Sequence, residues 1–301
     1  MKVTFLGTSS AVPTKDRSLT SIALVMDGEY LLIDVGEGTQ RRIIEAGLGF
    51  GRLNRIFITH LHGDHFLGLF PLLQTMGILR RTRPLEVFSP PGLVALIDGL
   101  AKHASFRVDF PLKLVEFNGE TKFEFKKYTV KVFPVEHGDT PTFGVKVVER
   151  PKPGKLDVEL ADRLGVPPIM RGLLKKGIPV RLPDGRVVRP EEVVGPPRPG
   201  RTVVYSSDTR PTERVIKEAT EADLLIHDAT FTSDLADRAE ATGHSTVEEA
   251  CEVALKARAA RLALTHFSAR YKEEDLREIE DRARAIFPNA FVARDLMTIE
   301  L

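Results

Sequence analysis

The stretch FITHLHGDHFLGL, residues 57–69, sets His60, His62, Asp64 and His65 in an H-x-H-x-D-H array directly after an apolar run. Imidazole and carboxylate are ligands for zinc and its first-row relatives where no thiolate is at hand. The chain has one cysteine, Cys251, so it forms no internal disulfide and no thiolate cage. Any metal must then be held by nitrogen and oxygen. Three further groups stand alone, each closing an apolar run as His60 closes RIFITH. His137 ends VKVFPVEH, Asp208 ends TVVYSSD and His266 ends RLALTH. If these runs are strands pointing one way, four segments deliver their groups to one rim of an α/β sheet, where such folds place ligand sites. Seven donors exceed the four positions of one tetrahedral zinc but suit two metals sharing a carboxylate. Paired metals roughly 3.5–4 Å apart can hold a bridging hydroxide and stabilise both oxygens of a phosphoryl displacement, so phosphodiester hydrolysis is the expected chemistry.

The elements that position these groups alternate in type. Strand patterns at KVTFLG, LTSIALVM and YLLID are followed by a helix from about Gly38 to Ala46 and the strand RIFIT. LGLFPLLQTMGILRR and GLVALIDGLAKHA read as helices on either side of the strand LEVFS, and LKLVEF through YTVKVFPVE to FGVKVVE as consecutive strands. The strands TVVYSS, DLLIHD and RLALTH then alternate with helices from about Thr212, Ser245 and Glu273, before a last strand, AFVA. Such alternation predicts a layered α/β sandwich. With 301 residues, 42% hydrophobic and 28% charged, the chain can bury a sizeable core in a single domain. No apolar run approaches the roughly 18 residues of a membrane span. MKVTFLGTSS reads as a first strand rather than a signal peptide, so a cytoplasmic protein is expected.

Between Arg150 and Arg201 the character changes: PKPGK, GVPPIM, LPDGR and GPPRPG interrupt every periodic run. Proline and glycine at this density predict an inserted flexible arm with little core of its own. Its twelve Lys and Arg against six Asp and Glu make it +6 in a chain of net charge +1, leaving −5 for the rest. A basic arm suits a phosphate backbone, with Arg171, Lys175 and Lys176 in MRGLLKKG as candidate contacts. It has no interleaved aromatics for stacking on unpaired bases.

The H-x-H-x-D-H loop resembles that of the metallo-β-lactamase superfamily, which implies a four-layer αβ/βα sandwich. FLGTSSAVPTKDRS, IDVGEGTQRR, VEHG, SSDTR, LLIHDATF, GHST and THFSARY, in this order and spanning nearly the whole chain, resemble the ribonuclease Z family of tRNA 3′-processing endonucleases. The resemblance implies a two-zinc hydrolase, with manganese or iron also chemically admissible, that removes the 3′ trailer of precursor tRNA and leaves a 3′-hydroxyl. It assigns His60, His62 and His137 to one metal and Asp64, His65 and His266 to the other, with Asp208 bridging. Asp64 doubles as general base, and Asp34 holds a ligand imidazole. His244 in GHST serves the departing 3′-oxygen. Apart from the resemblance, Arg270 beyond His266 suits bidentate contact with a phosphate and equally a pairing with a structural carboxylate. The basic segment matches the family's exosite, and a homodimer is implied, with no membrane association. Asp228 stands where the family has glutamate, and its shorter reach weakens the case for a dyad with His244. PTKDRS ends in Ser18 rather than asparagine, which leaves rejection of CCA-bearing tRNA open. The competing reading is a small-molecule phosphodiesterase or aryl sulfatase of the same superfamily.

Overall fold

The computed structural model describes residues 1–301. Six strands come first: Lys2–Gly7 (β1), Ser21–Met26 (β2), Glu29–Ile33 (β3), Leu53–Phe57 (β4), Leu85–Ser89 (β5) and Leu112–Glu116 (β6). They are followed by Thr121–Glu124 (β7), Tyr128–Val135 (β8), Thr142–Glu149 (β9), Val180–Arg181 (β10) and Val187–Val188 (β11). Thr202–Tyr205 (β12), Leu224–Asp228 (β13), Leu262–Thr265 (β14), Ala290–Val292 (β15) and Thr298–Glu300 (β16) complete the set. Two seven-stranded sheets result, in the orders β16-β1-β2-β3-β4-β5-β6 and β15-β14-β13-β12-β9-β8-β7. In the first, β3, β4, β5 and β6 run parallel; in the second, β12, β13, β14 and β15 do. Parallel strands covered on both faces read as continuous apolar runs, as LLI and LALT do here.

The sheets face each other across a core drawn from both, including Phe5, Leu31, Phe57, Val132, Tyr205 and Ile226. Phe57 and Phe88 stack there with ring centroids 4.5 Å apart, and Phe117 meets Phe143 edge-on at 5.0 Å. A second apolar layer packs the helices Thr39–Glu45, Leu69–Ile78 and Leu93–His103 on the first sheet's outer face. A third packs Glu213–Glu218, Val247–Ala257 and Glu273–Ile286 on the second. The helix Glu273–Ile286 carries acids throughout its first turn and buries Leu276, Ile279 and Ala283 along one stripe. Helix Val247–Ala257 starts at a capping box between Thr246 and Glu249. The layers run helix, sheet, sheet, helix, which is the expected αβ/βα sandwich. No helix is long and apolar enough to cross a membrane.

Two expectations are corrected. AFVA is not the last strand: β16 follows it and pairs antiparallel with β1, Val3 opposite Ile299. Three residues, TIE, with one apolar side chain turned inward, leave no periodic signal. The chain also divides into two compact units, one of Met1–Val147 with Thr202–Leu301, the other Val148–Arg201. The second unit has a core of its own, with Ala161, Val166, Leu174, Val180, Leu182, Val188 and Val193 buried. It holds the helix Val158–Arg163, capped by Asp157, and the β10–β11 hairpin. Its prolines and glycines separate pieces too short for a periodic pattern, yet each piece contributes one or two apolar side chains.

Candidate metal centre

The singly placed donors all follow strand ends. His60 lies three residues beyond β4, His137 two beyond β8, Asp208 three beyond β12, and His266 directly beyond β14. His62 caps the short helix Gly63–Phe66, which carries Asp64 and His65. Backbone strain marks the same rim: Asp34, Ser207 and His266 adopt positive φ of 60°, 59° and 64°. Each such residue costs on the order of 1–3 kcal/mol, and such strain clusters where geometry serves function. Two glycines let the loops close on one another. A Cβ on Gly68 would lie 2.0 Å from the Gly36 carbonyl oxygen, and one on Gly36 would lie 2.6 Å from that of Asp64.

All seven predicted donors converge. Oδ2 of Asp208 lies 3.2 Å from His65 Nε2, 3.3 Å from His266 Nε2, 3.7 Å from His60 Nε2 and 3.9 Å from His137 Nε2. Asp64 Oδ2 is 3.4 Å from His266 Nε2 and 3.6 Å from His65 Nε2. His62 Nδ1 meets His137 Nε2 at 3.2 Å. His60, His62, His137 and Asp208 form one potential ion-holding group, and Asp64, His65 and His266 a second.

The outward nitrogens fix the tautomers. His137 Nδ1 is 2.9 Å from the Gly243 carbonyl, which can only accept, so Nδ1 carries the proton. Thr59 Oγ1 donates to Asp34 Oδ2 at 2.9 Å and therefore accepts from His60 Nδ1 at 3.0 Å. Thr230 Oγ1 donates to Asp228 Oδ1 at 2.6 Å and accepts from His266 Nδ1 at 2.9 Å. Asp34 Oδ2 takes His65 Nδ1 at 2.8 Å. Four imidazoles thus anchor Nδ1 outward and turn Nε2 towards Asp208, the arrangement that prepares histidines for metal. His60 Nε2 and Asp208 Oδ1 are buried without any hydrogen-bond partner, a costly state that a cation would relieve. Donor chemistry and orphaned atoms alike fit metal ions.

Burial pushes the Asp34 carboxyl upward, against the charge and hydrogen bond of His65. Burial works against a charge on His65, but Asp208, Asp34 and Asp64 outweigh it and hold its pKa well up. His244 Nδ1 lies 2.8 Å from Asp228 Oδ2, so the dyad forms despite the shorter side chain: Asp228 ends β13 with its carboxylate directly beneath the GHST loop. Burial opposes charge on His244, yet Asp228 lifts its pKa to about 9. Arg210 donates to the His244 carbonyl at 2.5 Å and forks onto Glu249 at 2.5 and 3.0 Å. His62, Asp64, Asp208, His244 and His266 border an open cavity of about 260 Å³.

The candidate RNA contacts differ among themselves. Arg171 is engaged inside its own unit, paired with Asp162 and donating to the Val166 carbonyl at 3.3 Å. Lys175 and Lys176 are exposed. Arg270 is also exposed, donating to Ser268 Oγ at 3.1 Å with its guanidinium over the Phe231 ring. Thr59, Arg210, Thr230 and Thr140, whose Oγ1 lies 3.0 Å from His62 Nε2, escaped the sequence reading, because a lone hydroxyl or arginine shows its partner only in three dimensions. Arg17 in PTKDRS is buried and donates to the carbonyls of Tyr271 and Ser268 at 2.8 and 3.0 Å, tying that loop to the one carrying Arg270.

A helix-sheet-sheet-helix sandwich with histidines and aspartates gathered at its strand ends defines the metallo-β-lactamase superfamily. Residues 191–267 match the family model described as the beta-lactamase superfamily domain, and residues 1–151 match that of the anti-Pycsar protein Apyc1. Over its whole length the chain is 47% identical to Ribonuclease Z of Methanothermobacter thermautotrophicus, across 97% of that protein. It is 44% identical to Ribonuclease Z of Haloferax volcanii, across all of this chain and 95% of that one. The crystal structure of human tRNase Z, short form, aligns over 100% of this chain and 99% of its own with a TM-score of 0.72 at 29% identity. The chain belongs to the ribonuclease Z family.

Proposed function

We propose that this chain is a metal-dependent endoribonuclease that removes the 3′ trailer from precursor tRNA and leaves a 3′-hydroxyl on the tRNA. The reading rests on full-length kinship with ribonucleases Z. The observation that carries it is the set of four imidazoles turned by outward hydrogen bonds towards the Asp208 carboxylate. His60, His62 and His137 would hold one cation and Asp64, His65 and His266 the other, with Asp208 between them. Donor type favours zinc, with manganese or iron as alternatives. Bound there, the cations would supply Lewis-acid chemistry, acidifying water and stabilising charge on the phosphoryl oxygens.

The chain's own groups do the rest. Asp64, held by the Ala11 N–H at 2.7 Å, stands at the cavity edge as general base for the attacking water. His244, charged at neutral pH beside Asp228, donates its Nε2 proton to the departing 3′-oxygen. Asp34, Thr59, Thr230 and the Gly243 carbonyl hold the ligand rings in place. The unit Val148–Arg201 serves as exosite for the folded tRNA, with Lys175 and Lys176 on phosphates, and Arg270, four residues beyond His266, contacts phosphate as well. A cytoplasmic homodimer belongs to the same reading.

The deciding experiment incubates the metal-loaded protein with a 3′-extended precursor tRNA, with and without an encoded CCA, and maps the cut. A single cut at the 3′ end of the tRNA body, abolished by chelation, is expected. An enzyme that hydrolyses a small chromogenic phosphodiester but leaves the precursor intact would instead be the small-ester hydrolase. Ser18 makes the CCA comparison informative in its own right.

A further inference from the structure

At the opposite ends of the strands lies a cavity of about 700 Å³ that the proposed reaction does not use. Glu29 opens β3, Asn54 and Arg55 are second and third in β4, Glu86 and Lys113 are second in β5 and β6, and Tyr128 opens β8. The metal donors follow the other ends of β4 and β8. The cavity is within the 300–1,000 Å³ range of small-ligand sites, far larger than one hydrated ion needs.

Its charge is lopsided. Five cations line it against two carboxylates, a net +3, whereas the whole chain carries +1. Glu86 holds Arg55 at 2.8 Å and Lys113 at 3.3 Å, and Glu29 holds Lys127 at 3.6 Å. Arg55 is locked further, its guanidinium 3.9 Å over the Phe125 ring and 3.0 Å from Tyr128 Oη. This internal pairing builds a rigid floor and still leaves one charge over. Arg83 and Lys126, both exposed at the rim, have no carboxylate partner and add two more. Like charges gathered in one concavity repel one another unless an anion joins them, and a flat arginine fork with neighbouring ammonium groups matches phosphate oxygens.

We propose that this cavity is a second anion site, taking a multiply charged phosphate-bearing ligand at the end of the sandwich away from the metal centre. Two sources share that chemistry: a free nucleotide or pyrophosphate, and the phosphodiester backbone of an RNA segment.

The test titrates the metal-loaded full chain with pyrophosphate, ATP and a single-stranded RNA octamer, following heat, and repeats each titration with Arg83→Ser/Lys126→Ser. Any binding at the metal centre is common to both proteins and cancels in the comparison. Tighter binding by the parent protein of at least one ligand, about tenfold or more and weakened by salt, supports the proposal. Preference for the octamer identifies the RNA backbone, and preference for ATP or pyrophosphate a free phosphate. Hydrolysis of a small phosphodiester and the thermal midpoint should be unchanged, since both side chains are exposed and remote from the chemistry. Indistinguishable isotherms for parent and variant with all three ligands would overturn the site.

Discussion

Arg210→Ala tests whether His244 acts through a position that the rest of the chain imposes on it. The guanidinium donates to the His244 carbonyl at 2.5 Å and grips Glu249 through both nitrogens, while Glu249 Oε2 also accepts the Thr246 N–H at 2.8 Å. One side chain thus ties the GHST loop to the first turn of the helix that follows. Arg210 and Glu249 are about one-quarter exposed, so their attraction is partly screened. Losing the pair and the carbonyl bond should cost about 1–2 kcal/mol, lowering the thermal midpoint of a chain this size by roughly 2–3 °C. The larger effect falls on the chemical step. Removing a general acid costs about 10²–10⁴-fold, and a displaced one costs part of that, so kcat on precursor tRNA should drop by about 10–100-fold with KM little changed. A substrate whose leaving group needs no proton should be spared. The assay therefore compares kcat on precursor tRNA with kcat on bis(p-nitrophenyl) phosphate, alongside metal content and His244→Ala. Equal losses on both substrates, or a drop in bound metal, would refute the positioning argument and make Arg210 a structural residue only.

Three further outcomes follow from the same geometry. Lys175→Ala with Lys176→Ala should weaken precursor tRNA binding and reduce the slope of log affinity against log salt by about 1–2, and an unchanged slope would remove both from the interface. Asp34→Asn leaves the fold's shape but withdraws the carboxylate from His65 Nδ1 and the Thr59 hydroxyl, so metal affinity measured by competition with a chelator should fall about 10–100-fold. Burial lifts the Cys251 thiol to about 12, so at pH 8 it is a thiol and not a thiolate. Ellman's reagent should therefore react with it only after denaturation, and prompt reaction with the native protein would contradict its packing.

His60, His62, Asp64 and His65 were legible because a loop of six residues carries them together, whatever the chain does elsewhere. His137, Asp208 and His266 were legible because each closes an apolar run, and parallel strands in a layered fold discharge their last residues at a common rim. A layered α/β sandwich followed from the alternation of helix and strand patterns and its four layers from the resemblance to the metallo-β-lactamase superfamily, while the three-residue β16 was too short to leave a pattern. Arg171 was singled out by charge alone, and its pairing with Asp162, nine residues earlier, depends on how helical turns pack within their unit.

What only the tertiary structure decided is the state of each donor. The side chain of Asp228 reaches His244 because strand end and loop stack closely enough to offset the shorter acid. Arg210 meets the GHST loop across 34 residues, and Thr230 meets His266 across 36. A sequence records which groups are available and how they recur along the chain. Hydrogen-bond direction, tautomer and charge arise from contacts between segments that are distant in the chain, and these exist only once the two sheets have closed on their common core.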